Sequence, residues 1–215
     1  MARRGSRSRE RPLHRRGASR DPLPLILVVC EGEFTEPEYI HGFKGAHGIN
    51  TVRVEVVNRG GDPQAVVQKA VELRDRAASE ADRAGDPYLA YDEVWCVFDV
   101  DQHKRLSAAR ALADRHEVEL AVSNPCFELW LFLHFAEHGA HATPAHARRL
   151  LKAHLPRYDK HLAFDDVAPG YPEAVRRAGG LDRHHEELGQ AGGNPSTGVY
   201  RLTEHLRQFG KAARL

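Results

Sequence analysis

Two short apolar segments of this chain each end in acidic residues, and this pattern constrains the fold more than any other feature. Residues 94–98 form a continuous apolar run that is followed by Asp99 and, one residue further on, by Asp101. A second run, residues 25–30, leads directly into Glu31. Apolar runs this short are typical of parallel strands that are covered on both faces. The pattern therefore predicts an α/β protein with carboxylates at the carboxyl edge of its sheet.

Three carboxylates at one sheet edge predict a site for a divalent cation. Like charges repel each other at short range, and hard oxygen ligands suit Mg²⁺ or Mn²⁺. Glu31, Asp99 and Asp101 can share such an ion, which would polarise a phosphoryl oxygen, if the first and third strands are neighbours. Glu31 is also the candidate for proton transfer, because it precedes Gly32 on a tight turn near acids that perturb its pKa. The alternative is that these acids serve only as helix caps.

Strand and helix patterns alternate four times between residues 25 and 135. We expect Thr35 to cap the first helix and the segment Ser123-Asn124-Pro125 to cap the fourth. Such alternation is typical of a parallel sheet with helices on both faces. The predicted strands are residues 25–30, 52–57, 94–98 and 118–122, and the predicted helices begin near residues 35, 63, 106 and 124. The second of these helices should be capped by the turn at residues 60–63 and end at Gly85-Asp86-Pro87.

The last third of the chain has a different pattern, which contains helices only. Apolar spacing predicts these helices at residues 143–152, 172–188 and 199–209. We therefore divide the chain into a disordered basic arm at residues 1–22, an α/β core at residues 23–140 and a helical extension at residues 141–215 that packs on the core.

Charge and hydropathy limit the classes of protein that fit. Residues 1–20 contain eight arginines and one acid, and such an arm either attracts phosphate backbones or serves as a solubilising extension. No apolar run approaches the roughly 20 residues that cross a bilayer, and the N-terminus lacks the apolar part of a signal peptide, so we expect a cytoplasmic protein without a membrane partner. Cys30, Cys96 and Cys126 form no CxxC pair, which predicts buried free thiols.

Four blocks of the sequence stand out, residues 29–39 (VCEGEFTEPEY), 98–103 (FDVDQH), 123–130 (SNPCFELW) and 194–197 (NPST). Together they resemble RloB-like proteins, and the resemblance extends over roughly residues 25–210. That family resembles the Toprim fold of topoisomerases, primases and overcoming-lysogenization-defect (OLD) nucleases. The resemblance implies a Toprim-like, Mg²⁺-dependent nuclease of bacterial anti-phage defence loci, which acts with a partner ATPase of the AAA or ABC type.

The resemblance also implies roles for individual acids. Glu31 corresponds to the Toprim glutamate, and Asp99 and Asp101 correspond to the DxD pair. Glu36 corresponds to the second acid of the OLD-type first motif, although it lies one residue further along the chain than in that motif. No tyrosine stands where a topoisomerase nucleophile is expected, which favours hydrolysis by water over a covalent phosphotyrosine.

Several other polar residues are candidates for the site, each with a simpler structural alternative. Glu128 is an acid on an apolar helix, so it either faces the metal site, where it would be catalytic, or pairs with an arginine. The N-terminus of the helix predicted after Asn124 can accept a phosphate. Lys160 either neutralises charge that develops on phosphate or is solvated. Asn194, Ser196 and Thr197 either bind phosphate or cap a helix. The candidate substrate-binding residues are Asn124, His103, Lys160, Asn194 and Ser196.

The leading prediction is a metal-dependent nuclease that hydrolyses DNA or RNA, and two other classes stay open. One is a non-catalytic Toprim-like sensor or scaffold that binds nucleic acid or an ATPase. The other is a nucleotide-sugar transferase with a metal-binding DxD pair, against which contact between Glu31 and Asp99 would argue. The chain lacks the glycine-rich motifs that bind nucleotides, so ATPase activity is expected in another protein. The apolar helix predicted at residues 124–135 is either core or the surface of a homo-oligomer.

Overall fold

The computed structural model describes residues 23–56, 62–100 and 106–210. The predicted basic arm lies outside these ranges, as do two predicted site residues, Asp101 and His103.

A five-stranded sheet forms the centre of the molecule. The strands lie in the order β2-β1-β3-β4-β5, and the first four in sequence are parallel, whereas β5 is antiparallel to β4. Helices cover both faces, so the predicted mostly parallel α/β core is confirmed. The strands are β1 (Ile26–Cys30), β2 (Val52–Val56), β3 (Glu93–Asp99), β4 (Glu119–Asn124) and β5 (Ser196–Thr197).

The short strand β5 corrects the expectation that the chain contains only helices after residue 140. Its two residues pair with the end of β4, and the hydroxyl groups of Ser123 and Thr197 form a hydrogen bond of 3.0 Å between the strands. A strand of two residues has no periodicity of its own. It exists because a partner strand distant in sequence satisfies its backbone groups, and no local pattern records that partner.

Seven α-helices of the described ranges surround the sheet, and the fifth of them packs on the fourth. Residues of α2 and α3 pack on one face against Leu27 and Val29, whereas α1, α4, α6 and α7 contribute to the core on the other face, with Val28 and Cys30. In the described part of the chain, no helix is long and apolar enough to cross a membrane. The helices are α1 (Thr35–His47), α2 (Pro63–Ala84), α3 (Leu106–His116), α4 (Phe127–Leu133), α5 (Pro144–His154), α6 (Tyr171–Glu187) and α7 (Val199–Arg207).

Helix boundaries follow the sequence where capping is local. The carboxylate of Asp62 accepts a hydrogen bond of 3.1 Å from the backbone N–H of Gln64, and Pro63 is the first residue of α2. Gly85 ends the same helix with a left-handed φ of 64°. These two ends confirm the predicted extent of α2.

Two predicted caps are wrong, because tertiary hydrogen bonds engage the same side chains. Thr35 lies inside α1, and its hydroxyl contacts a distant loop, while Phe34 occupies the cap position without a side-chain bond. Ser123 and Asn124 belong to β4, so α4 begins only after Cys126. The helix is consequently shorter than predicted, although its seven residues are all buried as expected.

A buried aromatic cluster joins the C-terminal helices to the first part of the chain. Trp130 and Tyr39 are fully buried, with ring centroids 6.0 Å apart, and Tyr171 of α6 lies 5.2 Å from Phe43 of α1. Burial of each large apolar side chain contributes roughly 1.5–3 kcal/mol to folding. The three cysteines are buried free thiols, as predicted.

Two glycines of α1 provide a matched test of how tightly this helix packs. A Cβ on Gly42 would overlap Phe164 Cβ and lie 2.7 Å from its Cγ, whereas a Cβ on Gly45 would meet nothing within 4 Å. We expect Gly42→Ala to lower the free energy of unfolding by about 1–3 kcal/mol, because Phe164 must move. Gly45→Ala should instead raise it by about 0.5–1 kcal/mol, because alanine favours the helix. Urea denaturation measures both, and equal effects would show that α1 does not pack against Phe164.

Candidate active site

The structure brings Glu31 and Asp99 together at the carboxyl edge of the sheet. β1 and β3 are neighbours with Cys30 opposite Val97, so the backbone N–H of Glu31 donates to the Val97 carbonyl at 2.9 Å. The Glu31 carboxylate also accepts a hydrogen bond of 3.2 Å from the backbone N–H of Asp99, which lies two residues after Val97. The condition on which a shared cation site depends, adjacency of the first and third strands, is therefore met.

Glu36 reaches the same turn from the first turn of α1. Its side chain is only 8% exposed and its carboxylate lies against Gly32, where any Cβ would overlap its oxygen Oε2. Glycine is thus the residue that lets the Glu36 carboxylate approach the backbone of the turn. The acid–glycine pair in the sequence, Glu31-Gly32, is explained by this close approach.

The acids at this edge lie close enough to influence one another. Burial is the main cause that raises the pKa of Glu36 to about 7, and the negative charges of Glu128 and Glu31 raise it further, while Lys160 opposes the rise. Burial likewise raises the pKa of the Cys126 thiol, with Glu128 and Asp99 adding to that rise. The two effects indicate that the carboxylates of Glu31, Glu36, Asp99 and Glu128 lie near one another at this edge.

Glu128 is paired with an arginine, one of the two alternatives that its sequence position left open. It is 6% exposed, and its Oε1 accepts hydrogen bonds from Arg148 Nε at 2.8 Å and from the Tyr158 hydroxyl at 3.3 Å. These two donors compensate its charge within the protein. Glu128 thus forms a wall of the site and still acts on Glu36 through its charge.

A loop at residues 158–162 is fastened to the start of α1 beside the acids. The Thr35 hydroxyl donates to the Lys160 carbonyl at 2.6 Å and contacts the Tyr158 hydroxyl at 3.0 Å. Both oxygens of Glu38 accept bonds from the same loop, one from the His161 ring at 2.7 Å and one from a backbone N–H at 2.6 Å. The result is an exposed lysine whose charge acts on Glu36.

Lys160 has a left-handed backbone conformation with φ of 84°. This conformation strains the backbone of a residue other than glycine. It persists only where surrounding contacts stabilise it. The hydrogen bond from Thr35 to the Lys160 carbonyl is such a contact. The backbone of Lys160 is therefore held beside the acidic edge.

The remaining predicted site residues mainly join loops. Asn124 follows Ser123, which pairs with Asp99 across the sheet, and its amide donates to the Gly192 carbonyl at 3.0 Å. The Asn194 amide makes two hydrogen bonds with the backbone of Ala142, at 2.9 and 2.8 Å. Ser196 is buried in β5. Of Asn124, Asn194 and Ser196, Asn124 thus lies nearest to Asp99 in the strand register of the described structure.

Sequence patterns missed three residues that shape the site, Arg148, Tyr158 and the hydroxyl of Thr35. Tyr158 contacts Thr35 across 123 positions of the chain, and a contact of that separation leaves no local pattern. In the described ranges, no group of three or more His, Cys, Asp or Glu side chains is placed to hold a metal ion, and Asp101 lies outside those ranges.

Arg148 should contribute more to stability than Arg149, because its partner Glu128 is buried. We expect Arg148→Met to lower the free energy of unfolding by about 1–2 kcal/mol, because Glu128 loses its charged donor. The loss stays below that of a fully buried pair, because the Arg148 side chain is 47% exposed. Arg149→Met, the adjacent exposed arginine of α5, should change stability by less than about 0.5 kcal/mol. Thermal or urea unfolding distinguishes them, and equal losses would argue against a structural role for the pair.

Comparison with known proteins agrees with the sequence blocks. The model of the RloB-like protein family matches residues 26–206, which include all five strands. No curated protein and no solved structure matches the chain. With most of its length matched by that model, this chain belongs to the RloB-like family.

Proposed function

We propose that this protein is a Toprim-like, Mg²⁺-dependent nuclease that hydrolyses phosphodiester bonds in DNA or RNA. The observation that carries the proposal is the hydrogen bond between the Glu31 carboxylate and the Asp99 backbone N–H at the ends of adjacent parallel strands. Ligands of open α/β sheets bind outside this edge. The contact ties the acid of the first strand to the acidic motif of the third, as the Toprim resemblance requires.

The donor set fits a hard divalent cation. Asp99 and Glu31 supply carboxylate oxygens, and Asp101 is the third ligand that the sequence offers. The raised pKa of Glu36 reflects burial and then the neighbouring carboxylates, so a cation beside them would favour its ionised form. When bound, Mg²⁺ or Mn²⁺ would polarise a phosphoryl oxygen and make a water molecule more acidic.

The protein side chains then have separate tasks. Asp99 and Asp101 would hold the ion, and Glu31, oriented by its bond to the Asp99 backbone, would accept a proton from water. Glu36 shares negative charge with this group from its position against Gly32. Lys160 offsets charge that develops on the phosphate, because its backbone holds it beside the acids.

The biological setting of the proposal comes from the family resemblance. We place the nuclease in bacterial anti-phage defence in the cytoplasm, with an ATPase partner of the AAA or ABC type that controls it. The arginine-rich segment at residues 1–22 would add affinity for nucleic acid that depends on salt and not on sequence. Homo-oligomer formation stays a prediction, since α4 is buried within one chain.

Two other functions make different demands on the acids. A nucleotide-sugar transferase needs the aspartate pair but no glutamate of the first strand, so the contact between Glu31 and Asp99 favours the nuclease. A non-catalytic sensor or scaffold would keep nucleic-acid binding without cleavage. The assay below separates the nuclease from this alternative.

The full chain should cleave nucleic acid in the presence of Mg²⁺ or Mn²⁺. We expect Glu31→Gln and Asp99→Asn to reduce the cleavage rate by roughly 100-fold or more, because each removes a carboxylate that acts on water or metal. The substrates are plasmid DNA, single-stranded DNA and transfer RNA. Asp82→Asn is the control, since Asp82 is an exposed acid near the end of α2. Calorimetric titration with Mn²⁺ should show weaker binding for Asp99→Asn but not for Asp82→Asn.

Cleavage that survives both substitutions would assign the activity to a contaminant and overturn the proposal. Metal binding and nucleic-acid binding without cleavage, also in the presence of the partner ATPase, would favour the sensor.

A further inference from the structure

An exposed aromatic side chain lies beside the acidic edge. Among the described residues, five large apolar side chains are exposed, and Phe34 is the one that stands between Glu31 and Glu36 in the sequence, at 39% exposure. Its ring lies against the ring of His161, with centroids 4.7 Å apart and planes inclined by 54°. We call Phe34 and His161 the aromatic platform.

The platform is held in place from both sides. The Phe34 carbonyl accepts a hydrogen bond of 2.9 Å from the backbone N–H of Glu38, because Phe34 is the cap residue of α1. The Glu38 carboxylate in turn accepts a bond of 2.7 Å from His161 Nδ1. A side chain that served only as core would be covered, whereas these rings contact each other and remain open to solvent.

Two basic residues, Lys160 and His161, are part of the platform or adjoin it in the chain. Lys160 precedes His161, and the Glu38 carboxylate raises the pKa of His161, which favours the charged ring. A cavity of about 700 Å³ opens beside it, and its lining contains the basic side chains Arg157 and His161 together with three acids, Glu38, Asp159 and Asp166. This volume is large enough for a nucleotide, and Arg157 is the side chain there that can contact a phosphate.

We propose that the aromatic platform stacks an unpaired nucleobase next to the scissile phosphate, so that single-stranded DNA or RNA is the substrate class. The inference rests on the nuclease function proposed above, which supplies a phosphodiester at Glu31 and Asp99. Only Gly32 and Glu33 separate Glu31 from Phe34 in the chain, so the base that flanks a phosphate at the acids can reach the rings. The phosphate on the other side of that base meets Lys160 or enters the cavity beside Arg157.

Stacking explains why the substrate must be unpaired. Each base of a duplex is already covered on both faces by its neighbours, so its ring is not accessible to a protein side chain. A single strand offers these faces, and all four bases can stack on an aromatic ring, which makes the contact tolerant of sequence. The platform therefore selects strand state and not base identity.

The test measures binding of the full chain to fluorescein-labelled twelve-residue oligonucleotides by anisotropy, once with EDTA and once with Ca²⁺. The probes are single-stranded DNA, single-stranded RNA, the DNA duplex and an abasic strand with the same backbone. We expect Phe34→Ala to weaken single-strand binding between about fivefold and a hundredfold, as loss of one stacked base predicts. Affinity for the duplex and the abasic strand should stay unchanged, and Phe34→Trp should restore single-strand binding.

Tyr88→Ala is the matched control. Tyr88 is 67% exposed in a short turn just before β3, at the opposite edge of the sheet, so its removal should leave every affinity unchanged. Equal single-strand affinities of wild type and Phe34→Ala, no single-strand binding by wild type, or an equal loss on the abasic strand would each overturn the inference. Cleavage is assayed separately with Mg²⁺. Cleavage that does not depend on Phe34 would contradict the role of the aromatic platform and support the nuclease. Phe34-dependent binding without cleavage would contradict the nuclease and support the aromatic platform.

Discussion

Parallel pairing of β1 with β3 is the contact on which the acidic edge depends. Pairing of Cys30 with Val97 determines that the next residue of β1, Glu31, turns toward the backbone of Asp99. A shift of one residue would exchange the faces of the strand and bury the carboxylate among apolar side chains. Because β1 is fully buried on both faces, such a shift would be costly. The core therefore enforces the position of the acid.

The carboxylates at this edge differ in how far neighbouring hydrogen-bond donors balance their negative charge. Glu128 receives Arg148 and Tyr158 as donors, so its charge is balanced inside the protein. Glu36 has mainly burial and neighbouring negative charge around it, and its pKa of about 7 reflects this. The net excess of negative charge thus lies on the side of Glu31 and Glu36, where a cation would offset it. The arginine pair keeps Glu128 from competing for that ion.

The sequence predicts the parts of the molecule that local patterns encode. Continuous apolar runs identified β1 and β3, and Asp62 with Gly85 gave both ends of α2. Thr35 was expected as a cap because its hydroxyl precedes a helical pattern. In the structure that hydroxyl contacts Tyr158, so a tertiary hydrogen bond takes the place of the expected cap bond. Distant partners of this kind, and the two-residue strand β5, have no counterpart in local sequence.

Helix α1 joins the acids at the Glu31 turn to the segment that carries Lys160 and His161. It begins directly after the Glu31 turn, and its residues Thr35, Glu38 and Gly42 all contact the segment that carries Lys160, His161 and Phe164. The acids and the aromatic platform are therefore parts of one packed unit, and a bound strand would not have to order the loop first. Binding energy that would otherwise be consumed in ordering remains for alignment of the phosphate with the acids, and such alignment accounts for a large part of the rate that positioned groups achieve.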